Sequence, residues 1–156
     1  MKKSDRMYLA LWGSLSLLTL CFIYGQSILP GKESSALSGF IATNIKSILD
    51  PLDIWEPERF HYLIRKLAHF TEYALLGFFF GRFIGVLGKC NGRRYVSMPL
   101  LAVLSVSVSD EFLQSFSARG SSVSDVVIDF SGALTGLLLA SLIGYFSLKR
   151  SDRNET

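Results

Sequence analysis

The chain has few of the residues that stabilise disulfide-linked or metal-stapled folds. It contains two cysteines, Cys21 in an apolar run and Cys90 in a basic loop, and they form neither a disulfide framework nor a metal-ligand spacing. Charge is also scarce, because 19% of the residues are charged and the net charge is only +3. The basic residues stand in short blocks at the ends of apolar segments. That placement is typical of membrane anchoring and argues against a nucleic-acid partner.

Apolar sequence is abundant, at 49% of the residues, and it falls into four runs. The predicted spans are residues 7–29, 68–87, 95–116 and 123–146. Each is long enough to cross a hydrocarbon core of about 30 Å as an α-helix. The first run is longer than the apolar part of a usual signal peptide and lacks a clear cleavage site, which favours a retained helix. We therefore predict an all-α integral membrane four-helix bundle that forms one domain over residues 1–156 in a lipid bilayer.

Basic residues also predict the orientation. With both termini in the cytoplasm, the short inner segments carry nine Lys and Arg, against six spread over much longer outer segments. The first outer segment is too polar to span. Residues 34–49 have apolar side chains at helical spacing, which fits an amphipathic helix on the outer surface, and an ordered loop is the alternative.

Ionisable side chains interrupt three of the runs near one end. Each such group costs about 2.5–3.5 kcal/mol on insertion scales, so several together indicate a site. The candidate catalytic residues are His69, Glu72, Asp110, Glu111, Asp125 and Asp129. The candidate binding residues are Lys66, Gln114 and Arg119.

Counting along the helices places these groups at one depth. Lys89 lies 20 residues from His69, Arg94 lies 20 residues from Gln114, and Lys149 lies 20 residues from Asp129. At about 1.5 Å per residue, each interval spans about 30 Å. If the basic residues mark the inner boundary, the polar side chains meet at the outer one.

Several kinds of chemistry fit this set of residues. Carboxylates with a histidine can bind a divalent cation, although no motif such as HExxH is present. Close carboxylates can do acid–base work, and Arg119 with Lys66 can hold a phosphate. The structural alternative is a buried polar network that only fixes helix packing. A transporter would need polar groups through the membrane depth, whereas the inner half is apolar apart from Arg82.

Two glycine series predict which helices touch. Gly77, Gly81 and Gly85 recur every four residues in the second run. The fourth run carries a similar series of small residues, Gly132, Gly136, Ala140 and Gly144. Such stripes let helix backbones approach closely, so the second and fourth helices should pack face to face.

At these residues the sequence resembles the VanZ-like family of bacterial integral membrane proteins. The family pattern Lys-x-x-His-x-x-x-Tyr falls on Lys66, His69 and Tyr73, and Asp-Glu-x-x-Gln falls on Asp110, Glu111 and Gln114. The pattern continues with Arg119, Asp125, Gly132 and Gly136, and many members carry Asn at the position of Asp129. The specific resemblance covers about residues 65–146, and the N-terminal run matches only in general character.

The resemblance implies a multi-pass protein of the bacterial plasma membrane. The family is named for a protein associated with low-level resistance to the glycopeptide teicoplanin, which raises a link to resistance without assigning that role to this chain. We expect a cell-envelope role on a lipid-linked or phosphate-bearing ligand. The alternative is a non-catalytic accessory protein. The sequence leaves open whether the chain is an enzyme, which cofactor it uses and whether it forms oligomers.

Overall fold

The computed structural model describes residues 2–28, 57–116 and 122–153, and within those ranges it contains helices and no strand. The helices are α1 (Lys3–Ile28), α2 (Pro57–Asn91), α3 (Ser97–Phe116) and α4 (Val123–Arg153). They pack as a four-helix bundle, which confirms the predicted all-α fold. The amphipathic helix predicted for residues 34–49 lies outside the described residues and stays a prediction.

Local sequence sets the ends of α2. Pro57 is the first residue of the helix. Proline suits this position because its φ is fixed and because it has no N–H group to leave unpaired. Gly92 has φ +63° directly after the last helical residue, and the Arg93 N–H donates to the Gly88 carbonyl at 3.0 Å. This is a glycine-terminated helix end in which the last carbonyls are satisfied. The basic loop therefore turns sharply from α2 into α3.

Ser122 links the end of α3 to the start of α4. Its hydroxyl accepts a hydrogen bond from the Ser124 N–H at 3.3 Å, which caps the helix. Its own N–H donates to Glu111 Oε2 at 2.9 Å. Ser122, at the start of α4, is therefore tied by Glu111 to α3 close to the predicted polar site.

Close contact between α2 and α4 forms what we call the glycine seam, made by Gly77, Gly81, Gly132 and Gly136 with the residues that face them. A methyl group built on Gly77 would overlap the Ala133 carbonyl, and one on Gly136 would overlap the Ala74 carbonyl. One on Gly81 would lie 2.8 Å from the Ala140 side chain. The predicted packing of these two helices is confirmed.

The prediction that Gly85 packs against α4 is wrong, and the contact of Gly144 with α2 is weak. No described residue lies within 4 Å of a methyl group built on Gly85, and the nearest described neighbour at Gly144 is the Arg82 guanidinium at 3.7 Å. Straight helices that cross at an angle touch over a limited length. The seam therefore ends near Gly81, although the glycine spacing continues.

Three of the four helices are long and apolar enough to cross a membrane, over Lys3–Ile28, Tyr62–Asn91 and Val123–Ser147. The segment of α3 does not reach the same apolar level, so four spans stays a prediction. The outward faces are apolar, with large side chains such as Leu18, Phe22, Leu101, Phe112 and Leu138 exposed. Apolar surfaces on this scale fit contact with lipid, and the chain is a membrane protein.

Packing on the other side of α2 is looser. An apolar cavity of about 310 Å³ lies between α1, α2 and α3. Its lining includes Leu20, Leu76, Phe80, Val103 and Val106, and Ser16 supplies the one hydroxyl. This space is partly open at the bundle surface, since the exposed Leu17 also lines it, and the helices are therefore less closely packed here than at the glycine seam.

Candidate functional site

Side chains from α2, α3 and α4 meet at the end of the bundle where the sequence predicted a common depth. A ligand atom from each of His69, Asp110 and Asp129 lies within 4.8 Å of the other two. Asp110 and Asp129 are completely buried, and the His69 side chain is 15% exposed. We call these three residues, with Glu72, Glu111, Gln114, Lys66, Asp125 and Ser27, the polar cluster.

Asp110 has the most complete set of partners in the polar cluster. Gln114, one turn later on α3, donates from Nε2 to Asp110 Oδ2 at 2.9 Å. The Ser27 hydroxyl of α1 donates to Oδ1 of the same carboxylate. Both oxygens are thus held, which fixes the orientation of the carboxylate toward α2 and α4.

The contribution of α1 was missed at the level of sequence. Besides the Ser27 contact, the Tyr24 hydroxyl lies 2.7 Å from Ser109 Oγ, so α1 meets α3 through two polar contacts. The sequence feature that could have indicated this contribution is the group of hydroxyl and amide side chains at the end of the first apolar run. It is weak, because serine and tyrosine are common in membrane helices without any site.

Asp129 is the least satisfied member. Its Oδ1 lies 3.5 Å from His69 Nδ1, without the alignment of a hydrogen bond, and Oδ2 has no donor among the described residues. The carboxylate is fully buried, at 0% exposure. An ionisable group in this position is costly unless another group compensates it.

Lys66 and Asp125 form an ion pair between α2 and α4, with side chains 11% and 6% exposed. The Ser124 hydroxyl also donates to Asp125 Oδ1 at 3.3 Å, and the Lys66 ammonium lies 4.9 Å from the centre of the Tyr62 ring. The sequence predicted Lys66 as a phosphate-binding cation. In the structure its charge is already matched by Asp125.

The remaining candidates lie around this centre. Glu111 Oε1 is buried and has no hydrogen-bond partner within the described ranges, while Oε2 accepts from Ser122. Glu72 is half-buried and lies close enough to His69, Asp110 and Asp129 to interact with them electrostatically. Arg119 lies outside the described residues, so its predicted binding role stays a prediction.

Comparison with known proteins now bears on this arrangement. A family model described as VanZ/LLP1 matches residues 7–144. The chain belongs to the VanZ/LLP1 family. The match includes α1, which the motifs alone had related to the family only in general character. No curated protein and no solved structure matches the chain.

In this VanZ-like protein the residues that carried the resemblance converge. Tyr73 is completely buried and lies close to Asp110 and Asp129, one turn below His69 on the same helix. Gly132 and Gly136 continue the face of α4 that carries Asp129, and they sit in the glycine seam. The motif glycines therefore bring α2 against α4, and the motif polar groups occupy one end of that contact.

Proposed function

We propose that this VanZ-like membrane protein acts in the cell envelope on a lipid-linked or phosphate-bearing ligand held at the polar cluster. The observation that carries the proposal is the incomplete pairing of the cluster, above all at the buried Asp129 carboxylate. A network that served packing alone would gain by satisfying every member. Groups left without donors in a buried site fit a ligand that supplies hydroxyl or amine donors, as the polar headgroup of a lipid-linked ligand can.

The cavity beside the cluster supports the lipid-linked form of the ligand. Its volume of about 310 Å³ lies at the lower end of the range for small-molecule sites, about 300–1,000 Å³. Val106 lines it one helical turn from Asp110, so the apolar space and the polar cluster are neighbours on α3. One hydrocarbon chain in the cavity would leave a polar headgroup at the cluster.

The proposal places the polar cluster on the outer side, with four spans and both termini in the cytoplasm. Basic residues near Cys90 support this orientation. A membrane-impermeant thiol reagent should then leave Cys90 unlabelled in intact cells and label it in permeabilised cells. Labelling in intact cells would put the cluster on the inner face.

The test of function is the lipid that co-purifies with the protein, identified by mass spectrometry. Ala102 lines the cavity, whereas its neighbour Leu101 does not line it and is 63% exposed. Ala102→Trp should fill the cavity and lower the amount of retained lipid. Leu101→Trp is the matched control and should retain as much as the unaltered protein.

The alternative, a non-catalytic accessory protein, leads to different expected results. It expects no lipid species enriched over the membrane composition, and no difference between Ala102→Trp and Leu101→Trp. It also expects Glu111→Gln or His69→Ala to lower the membrane level of the protein, because packing would depend on them. Normal levels with a lost envelope phenotype would support the ligand site instead.

A further inference from the structure

We propose that His69, Asp110 and Asp129 bind a divalent cation, Zn²⁺ or Mn²⁺. One ligand atom from each residue lies within 4.8 Å of the other two. His69 Nδ1 and Asp129 Oδ1 are 3.5 Å apart. Two ligand atoms of a tetrahedral Zn²⁺ site, each about 2.1 Å from the ion, are separated by a similar distance of about 3.4 Å. The inference does not depend on the proposed lipid-linked ligand.

A second observation points to a bound cation rather than to a set of acids alone. The Asp129 side chain is fully buried, and neither of its oxygens accepts a hydrogen bond from the described part of the chain. His69 Nδ1 is also buried, and it makes no hydrogen bond with the described residues. Buried carboxylates are normally paired or coordinate metals, and here the unpaired atoms face each other across α2 and α4.

Asp110 has the support expected of a metal ligand. Ser27 and Gln114 each donate to one of its oxygens, and each carboxylate oxygen keeps a further lone pair for a metal. Hydrogen bonds from outer residues commonly orient ligating carboxylates and histidines. On this view α1 contributes to the site through Ser27 without touching the ion.

The balance of charge also favours a cation. The Lys66 charge is paired with Asp125, so it does not neutralise Asp110 or Asp129. Two carboxylates, a neutral imidazole and a divalent ion sum to zero, which removes the repulsion between two buried anions.

The donor set selects the metal. One imidazole nitrogen with two carboxylates suits Zn²⁺ or Mn²⁺, whereas Mg²⁺ and Ca²⁺ favour ligand sets made of oxygen alone. Three protein ligands also leave coordination positions for water or for an anionic oxygen.

The experiment uses the full-length protein in detergent, stripped with a chelator and titrated calorimetrically with Zn²⁺ or Mn²⁺ alone. We expect one equivalent to bind and to raise the unfolding temperature. Asp129→Asn and His69→Gln should each weaken binding by at least about tenfold. Glu111→Gln removes the same single charge from the residue next to Asp110 and should weaken binding much less.

Failure of the stripped wild-type protein to bind either ion, or to gain thermal stability from it, would overturn the proposal even if the variants do not fold. Equal losses in Asp129→Asn and Glu111→Gln would overturn it too, because binding would then follow the total charge. Retention of lipid by the metal-free protein, with no metal bound afterwards, would reject the metal site and leave the proposed function standing.

Discussion

The two sides of α2 are built in different ways. Toward α4, at the glycine seam, backbones nearly touch, and a methyl group on Gly77, Gly132 or Gly136 would overlap a backbone carbonyl. Toward α1 and α3, side chains meet around a cavity of about 310 Å³. The seam therefore fixes His69 relative to Asp129, while Asp110 and Ser27 arrive on the looser side. Asp110 is thus held by its own hydrogen bonds from Ser27 and Gln114, whereas His69 and Asp129 are held by the packing of their helices.

The largest expected effect comes from opening the seam. A leucine at Gly136 would drive its side chain into the Ala74 carbonyl and the Phe78 backbone, neither of which can turn aside. Overpacking of side chains costs about 1–3 kcal/mol, and we expect this contact with backbone to exceed that range. Thermal unfolding in detergent should show little or no folded Gly136→Leu protein.

Gly85→Leu is the matched control, because it adds the same side chain at a glycine where no residue of the described ranges lies within 4 Å of an added methyl group. It should unfold at the wild-type temperature. Equal stability of the Gly136 and Gly85 variants would show that the seam is not the rigid half of the molecule.

Breaking the ion pair at the end of the seam should have the next largest effect. Lys66→Met leaves the buried Asp125 carboxylate without its partner, which costs about 3–5 kcal/mol for a buried pair. The double variant Lys66→Met with Asp125→Leu should recover most of that loss, because two apolar groups replace both charges. Chemical unfolding of the single and double variants measures this difference.

Arg65→Met provides the control for that prediction, since Arg65 is exposed on the preceding position of the same helix. Its loss should change the free energy of unfolding very little. A double variant as unstable as Lys66→Met would mean that Asp125 serves α4 for a reason other than pairing with Lys66.

These two regions also differ in how far the sequence predicts them. The seam was predictable because its glycines recur every four residues. The polar cluster was predictable because charged residues are rare in apolar runs. The extent of the seam was not predictable, because the glycine spacing continues to Gly85 although α4 makes no close contact there. The Ser27 contact could not be predicted, because a serine hydroxyl in a membrane helix ordinarily bonds to its own backbone. Here the Ile23 carbonyl is the alternative acceptor for the single Ser27 proton.

The smallest expected effect lies on the loose side and tests whether α1 belongs to the site. Ser27→Ala removes one donor from Asp110, which keeps the bond from Gln114, so we expect a loss of about 1–2 kcal/mol. Ser14→Ala is the control, because Ser14 is exposed on the same helix. Hydrogen–deuterium exchange should become faster at the end of α1 in Ser27→Ala and stay unchanged along the seam in α4. If α4 loosens as much as α1, the two sides of α2 form one cooperative unit, and the contrast between a rigid seam and an adaptable side is wrong.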